Sequence, residues 1–206
     1  MLELSEISYC PATASASVLR DINLQVGPGR PLLIAGASGS GKTSLLEVIS
    51  GLATAQSGTV SWRGRALSHR QRRWLCGIVF QFPERHFLGL SVSQELRLGH
   101  RRVGHDLEQK VLQRVGLETI NRKTAPERLS GGQQRRLALA VQLLRGAEVL
   151  LLDEPTAGLD WSVRTEVLML LSDLAKDQAL LVVTHEPELF SQWDCDKRRL
   201  QGGRLN

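Results

Sequence analysis

"PLLIAGASGSGKTSLLEVISG", residues 31–51, decides how this chain folds. Its apolar start reads as a buried strand ending in glycine, and "KTSLLEVIS" continues with helical spacing to a glycine stop at Gly51. Between them, "GASGSGKT" at 36–43 matches the pattern G-x-x-x-x-G-K-[ST] in full, through Gly36, Gly41, Lys42 and Thr43. Glycines let successive backbone N–H groups turn inward around a phosphate, and the helix start adds about half a positive charge. Lys42 is placed to neutralise β- and γ-phosphates, and Thr43 to ligate Mg²⁺. The cradle is therefore read as Gly36, Ala37, Ser38, Gly39, Ser40, Gly41, Lys42 and Thr43, with Ser44 one residue further on. A strand, this loop and a helix together predict binding of a nucleoside triphosphate.

The surrounding chain has 206 residues, enough for one domain with its own core or one domain carrying a smaller subdomain. Hydrophobic residues make up 42% and charged residues 23%, an ordinary globular balance that excludes a disordered chain. The net charge of +5 comes from short basic clusters: Arg70, Arg72 and Arg73; Arg101 and Arg102; Arg122 and Lys123; Arg135 and Arg136; Lys197 to Arg199. Most of these read as solvated surface; attraction to anionic lipid, nucleic acid or an acidic partner is the alternative. The three cysteines, Cys10, Cys76 and Cys195, are far apart and form no C-x-x-C pair, so neither a disulfide framework nor a zinc site is expected. A reducing compartment fits them. The N-terminus lacks a basic-then-apolar signal pattern, and no apolar run approaches the ~20 residues of a membrane helix. The chain by itself is expected neither to cross a membrane nor to enter a secretory route.

Residues 2–9 and 18–26 read as short strands separated by "PATASAS". "GTVSWRGRAL" reads as a hairpin region and "LCGIVFQ" as a buried strand. From 83 to 145 the pattern is largely helical, interrupted at Gly104 and Gly116. "AEVLLLDEP" (strand), 161–176 (helix), "ALLVVTHE" (strand) and a short final stretch near "RRLQGGRL" follow. Buried strands alternating with helices predict an α/β fold: a phosphate-loop core with a mostly parallel central sheet, an N-terminal antiparallel β region, and an inserted helical subdomain at 83–145.

Two carboxylates follow four apolar residues in "VLLLDEP", 149–155. Asp153, at the end of a buried strand beside the phosphate loop, suits Mg²⁺; Glu154 is free to point elsewhere and activate water. His185 stands just past another buried strand, where open α/β sheets bind ligands, and suits a hydrogen bond to a γ-phosphate or to the water and Glu154. Gln81 ends a third strand and offers a neutral oxygen to Mg²⁺ or water. A fourth motif is "LSGGQQRR" at 129–136. Ser130 and Gln133 have capping-box spacing, but each glycine in a helix costs about 1 kcal/mol relative to alanine, so Gly131 and Gly132 imply a close approach to this backbone.

In order and approximate spacing, "GASGSGKT", Gln81, "LSGGQ", "VLLLDEP", "AGLD" at 157–160 and His185 resemble the ATPase subunits of ATP-binding cassette systems across nearly the whole chain. The resemblance implies ATP and Mg²⁺ as ligands and a second ATPase subunit, identical or different, packed head to tail around two ATPs. Ser130, Gly131, Gly132 and Gln133 of one subunit would then face the γ-phosphate held by the other. Tyr9, the single tyrosine, lies where the family usually has an aromatic stacked on adenine; an ordinary strand aromatic is the other reading. Asp160 matches the loop that couples the two sites, although the commoner pattern there is Ser-Ala-Leu-Asp.

"FPERHFL" after Gln81 resembles the energy-coupling-factor group of importer ATPases, which take up vitamins or transition-metal ions from beneath an integral membrane component. That implies a peripheral, cytoplasmic-face subunit for which no nucleic-acid partner is expected. Phe87 and Leu88 would face the membrane partner or enter the subdomain core. His86 stands where that group commonly has glutamine, and the chain ends at Asn206, short of an extension many members carry. A soluble cassette ATPase driving a cytosolic machine is the alternative, disfavoured by a single cassette without a long inserted arm. A degenerate sensor would lack Glu154 or His185, and both are present.

Overall fold

The computed structural model describes residues 1–100 and 102–206, so Arg101 of the Arg101–Arg102 cluster lies outside the described residues. Its first two strands, β1 (Leu2–Tyr9) and β2 (Leu19–Val26), pair antiparallel. After β3 (Leu32–Ala35) and helix α1 (Lys42–Ser50), β4 (Ser57–Trp62) and β5 (Arg65–Ala66) complete an antiparallel sheet of order β2-β1-β4-β5. Helix α2 (His69–Leu75) leads into β6 (Cys76–Val79). Helices α3 (Val92–Arg97), α4 (His105–Arg114) and α5 (Gly131–Leu144) then occupy the stretch before β7 (Val149–Asp153). Helix α6 (Trp161–Leu174), β8 (Ala179–Thr184), β9 (Asp196–Gln201) and β10 (Arg204–Leu205) finish the chain.

The central sheet has the order β10-β9-β3-β8-β7-β6, parallel throughout except for the β9–β10 hairpin. Every residue of β7 and β8 is buried, as expected of parallel strands covered on both faces. Alternation then sends successive side chains to different layers. Leu32, Ile34, Leu151 and Leu181 pack with Leu45, Leu46 and Ile49 of α1 and with the antiparallel sheet. Leu33, Leu150, Leu152 and Leu180 face the other way, against Leu137, Leu139 and Leu171 of α5 and α6. The fold class is the one expected, with the helices of 83–145 between β6 and β7 in the chain.

Register brings the strand ends level. Ala35 pairs with Thr184, Asp153 with Val183, and Val79 with Leu152. The segments beginning at Gly36, Glu154, His185 and Phe80 consequently leave the sheet along one edge.

Two elements depart from the sequence reading. The hairpin region is followed by α2, which opens on a capping box: Ser68 Oγ accepts from the Gln71 amide and Gln71 Oε1 from the Ser68 amide. Its Arg-rich run has no apolar periodicity to announce a helix. The final stretch supplies β9, a parallel neighbour of β3, whose six residues are mostly polar because it lies next to the sheet edge. Basic residues also divide. Arg70 is exposed, whereas Arg72 is 5% exposed and donates to the Val48 carbonyl at 2.5 Å, so it belongs to the interior, not the solvated surface. Burial pushes its guanidinium below the usual arginine range.

Arg72→Ala opens a void and leaves the Val48 carbonyl with only the longer bond from the Gly51 amide (3.2 Å), and should cost about 2–4 kcal/mol in urea unfolding, while Arg70→Ala should stay within about 0.5 kcal/mol.

Candidate functional site

The phosphate loop is shaped by glycines whose backbone other residues adopt only under strain. Gly39 (φ +76°) and Gly41 (φ +99°) are left-handed, and a Cβ on Gly41 would lie 2.8 Å from Val18 Cγ1. Gly41 is also the N-cap of α1 and makes no side-chain cap bond, so the first amides of the helix point toward the cleft without a local acceptor. Lys42 is 8% exposed, and its Nζ donates to the carbonyls of Gly36 and Ala37 at 2.7 and 3.1 Å. The same ammonium lies 3.7 Å from Glu154 Oε1. Thr43 Oγ1 donates to Asp153 Oδ2 at 2.6 Å across 110 residues of sequence. Burial chiefly raises the Asp153 carboxyl above its usual value, opposed by that hydrogen bond.

Glu154 is positioned by its backbone as much as by its side chain. It has φ +47°, a left-handed conformation costing a bulky residue about 1–2 kcal/mol. Its amide donates to the Val183 carbonyl at 2.9 Å. Its carboxylate accepts from His185 twice, at Oε2 from the backbone amide (3.2 Å) and at Oε1 from Nδ1 (2.9 Å). The hydrogen bond that His185 donates to Glu154, followed by the charge of that carboxylate, raises the imidazole above its ordinary 6.5.

Ser38, Gly39, Gly41, Lys42, Thr43, Ser44, Gln81, Asp153, Glu154 and His185 line one cleft of about 550 Å³, and Gly36, Ala37 and Ser40 line the adjoining hollow of about 420 Å³. Oxygens of Thr43 and Asp153, with the Gln81 amide on the same wall, suit a small hard cation that takes phosphate and water for its remaining ligands. Among the described residues no group of three or more His, Cys, Asp or Glu could hold a metal alone.

Other expected residues lie apart. Tyr9 ends β1 half-buried against the core; its carbonyl accepts from the Val18 amide, and Val18, not Tyr9, lines the cleft. Ser130, Gly131, Gly132 and Gln133 form the N-terminus of α5, none of them lining the cleft. The capping box there is formed: Gln133 N donates to Ser130 Oγ at 3.3 Å and Ser130 N to Gln133 Oε1 at 3.0 Å. Gly132 has a reason inside the chain that its spacing concealed, since a Cβ there would lie 2.3 Å from Val163 Cγ1 of α6. Gly131 is exposed, with only ordinary contact to Leu159. Asp160 is the N-cap of α6 but makes no side-chain cap bond, leaving its carboxylate exposed.

Arg135 was missed. Its membership of a basic pair suggests solvent, yet it is 4% exposed and donates to the carbonyls of Glu154 (3.2 Å) and Ala157 (3.1 Å). The available signal was periodicity, because position 135 lies on the face of α5 shared by the buried Gly132 and Leu139.

Fold and site define a phosphate-loop nucleoside triphosphatase. A family model described as "ABC transporter" matches residues 19–157. The Arabidopsis thaliana protein "ABC transporter I family member 11, chloroplastic" is 38% identical over 99% of this chain and 80% of its own length. "Energy-coupling factor transporter ATP-binding protein EcfA2" of Symbiobacterium thermophilum is 37% identical over 96% of the chain and 73% of its own. Among solved structures, cbiO1 from Clostridium perfringens, "part of the ABC transporter complex cbiONQ", superposes with a TM-score of 0.88 at 28% identity, covering all of this chain and 86% of that one. The chain belongs to the ABC transporter family, as an ATP-binding domain of the ATP-hydrolysing kind.

Two outcomes follow from the geometry. Gly132→Ala should lower stability by about 1–3 kcal/mol through overpacking, and adding Val163→Ala should recover part of it in chemical denaturation. Histidine-ring NMR should find His185 titrating above 6.5, with Glu154→Gln bringing it back toward that value. Because the shift is upward, the pairing favours the folded state fully at pH below 6.5 and fades as pH rises through the raised value.

Proposed function

We propose that this chain is the ATPase subunit of an energy-coupling-factor-type importer of a metal ion or vitamin. It pairs with a second ATPase subunit around two ATPs and docks, from the cytoplasmic face, on an integral membrane component. Residues 1–206 act as one nucleotide-binding domain, in which 83–145 is the signature-bearing helical subdomain. The observation that carries this reading is the convergence of Lys42, the Thr43–Asp153 pair and the Glu154–His185 pair on one cleft. The names borne by the relatives support the importer class.

Lys42 leaves the Gly36 and Ala37 carbonyls to neutralise the β- and γ-phosphates of ATP. Thr43, Asp153 and Gln81 would hold Mg²⁺, which supplies charge neutralisation at the phosphate oxygens. Glu154 takes the proton of the water that attacks the γ-phosphorus, and the bond to the bridging oxygen breaks, releasing ADP and phosphate. His185 holds the carboxylate in place for that transfer. Ser130, with the amides of Gly131 and Gly132, completes the partner's site, so a lone subunit turns over poorly.

The docking face is the segment after Gln81. Phe82, Leu88 and Leu90 are 40%, 80% and 81% exposed, while the backbone between them is pinned by Glu95, whose Oε2 accepts from the amides of Leu88 (2.9 Å) and Gly89 (2.7 Å). Phe87 turns inward onto the core, so Leu88 faces the partner and Phe87 does not. No helix among the described residues is long and apolar enough to cross a membrane, which agrees with a separate spanning component.

Glu154→Gln should retain ATP and lose turnover by about 10²–10⁴-fold. Lys42→Ala should weaken nucleotide binding itself in a fluorescent-ATP titration. Tagged Glu154→Gln protein, purified with ATP from solubilised membranes, should bring a polytopic membrane protein with it; only soluble proteins or RNA would overturn the transport reading.

A further inference from the structure

Among the described residues Arg135 is the one buried arginine that touches the catalytic segment, and the hydrolysis reading above leaves it without a task. It grows from α5 five residues after Ser130, on the helix whose first turn presents the signature serine. Its guanidinium enters the interior beneath the turn that follows β7 and donates to the carbonyls of Glu154 and Ala157. The Ala157 amide returns to the same Glu154 carbonyl at 3.1 Å, so arginine and turn close on one oxygen. Among the described residues Arg135 Nε has no hydrogen-bond partner, so donor capacity remains in a site only 4% exposed.

Burying a guanidinium there is expensive. Burial pushes it below the usual arginine range, and the carboxylate that opposes this is Glu84, in the 3₁₀ turn Pro83–His86 that follows Gln81. A cheaper residue could fill the space; only a long, multiply donating cation reaches both carbonyls and still feels Glu84. The 83–87 segment rides directly on α5, where Pro83, His86 and Phe87 share a small cavity with Ala138 and Gln142.

We propose that Arg135 is a positioning residue for Glu154, holding its left-handed backbone through the Glu154 and Ala157 carbonyls and so linking the Ser130 helix end and the segment after Gln81 to the placement of the general base. Glu154 supports its φ of +47° with bonds at three places: its amide to Val183, its carboxylate to His185 and the Lys42 ammonium, and its carbonyl to Arg135 and the Ala157 amide. The Arg135 bond is the one that reaches α5, the helix that carries Ser130. A shift of α5, whether driven by phosphate at Ser130 or by a partner pressing on 82–90, therefore moves the carbonyl of the residue that takes the proton.

This inference rests on Glu154 being the general base, and the experiment separates the two. Steady-state ATPase rates and MgATP affinity are measured on the full chain for wild type, Glu154→Gln, Arg135→Gln and Arg135→Lys. Arg135→Gln should lower kcat by about tenfold to hundredfold while MgATP Kd stays within about threefold, since the donors lost act on the base and not on the nucleotide. Arg135→Lys should recover part of kcat by reaching one carbonyl. Glu154→Gln at wild-type turnover would sink the hydrolysis reading. If Glu154→Gln is inactive, wild-type kcat in Arg135→Gln, or lysine no better than glutamine, would each sink this inference alone. Should Arg135→Gln not fold, Arg135→Lys at wild-type kcat would do the same.

Discussion

Parallel pairing of Ala35 with Thr184 and of Asp153 with Val183 sets three strand ends level, and the Thr43–Asp153 and Glu154–His185 contacts follow from that register. The strands rise about 3.3 Å per residue, so a slip of one position would carry Asp153 out of reach of Thr43 and turn its side chain to the opposite face. Their near-total burial prevents the slip, because the apolar sets on both faces would have to leave their layers together. Hydrophobic packing thereby does geometric work at a site whose own members are polar.

Charge in the cleft is close to balanced by design of position. Lys42, Asp153, Glu154 and His185 stand within one network, with the ammonium also resting on loop carbonyls. Taking charges out of water costs several kcal/mol each unless partners replace the hydration. Here the partners are mobile ones, a lysine on a flexible stem and a half-exposed imidazole, so the network can exchange internal contacts for phosphate oxygens. Glu154 is the exception, since its backbone is strained and tied on every side.

Arginine shows how one residue type acquires different meanings. Arg70 is solvated, Arg72 ties α2 to the last turn of α1, Arg97 and Arg122 hold the fully buried Glu108 of α4, and Arg135 supports the turn after β7. In the sequence these arginines look alike. Burial separates them, and burial is a property of neighbours far along the chain.

What the sequence determined by itself is considerable, because its signals are local. Strand, glycine loop and helix at 32–50 are read from periodicity and backbone chemistry confined to a few residues, as are the Ser130–Gln133 capping box and the carboxylates after "VLLL". It was silent on α2, where arginines mask the apolar period, and on β9, whose polar residues resemble a tail until β3 claims them. Tertiary structure alone decided that Val18 and not Tyr9 borders the cleft, that Val163 requires Gly132, that Phe87 turns inward while Leu88 turns out, and that Arg135 reaches Glu154. Each of these is a contact between segments distant in sequence, and their distances are set only when the layers pack.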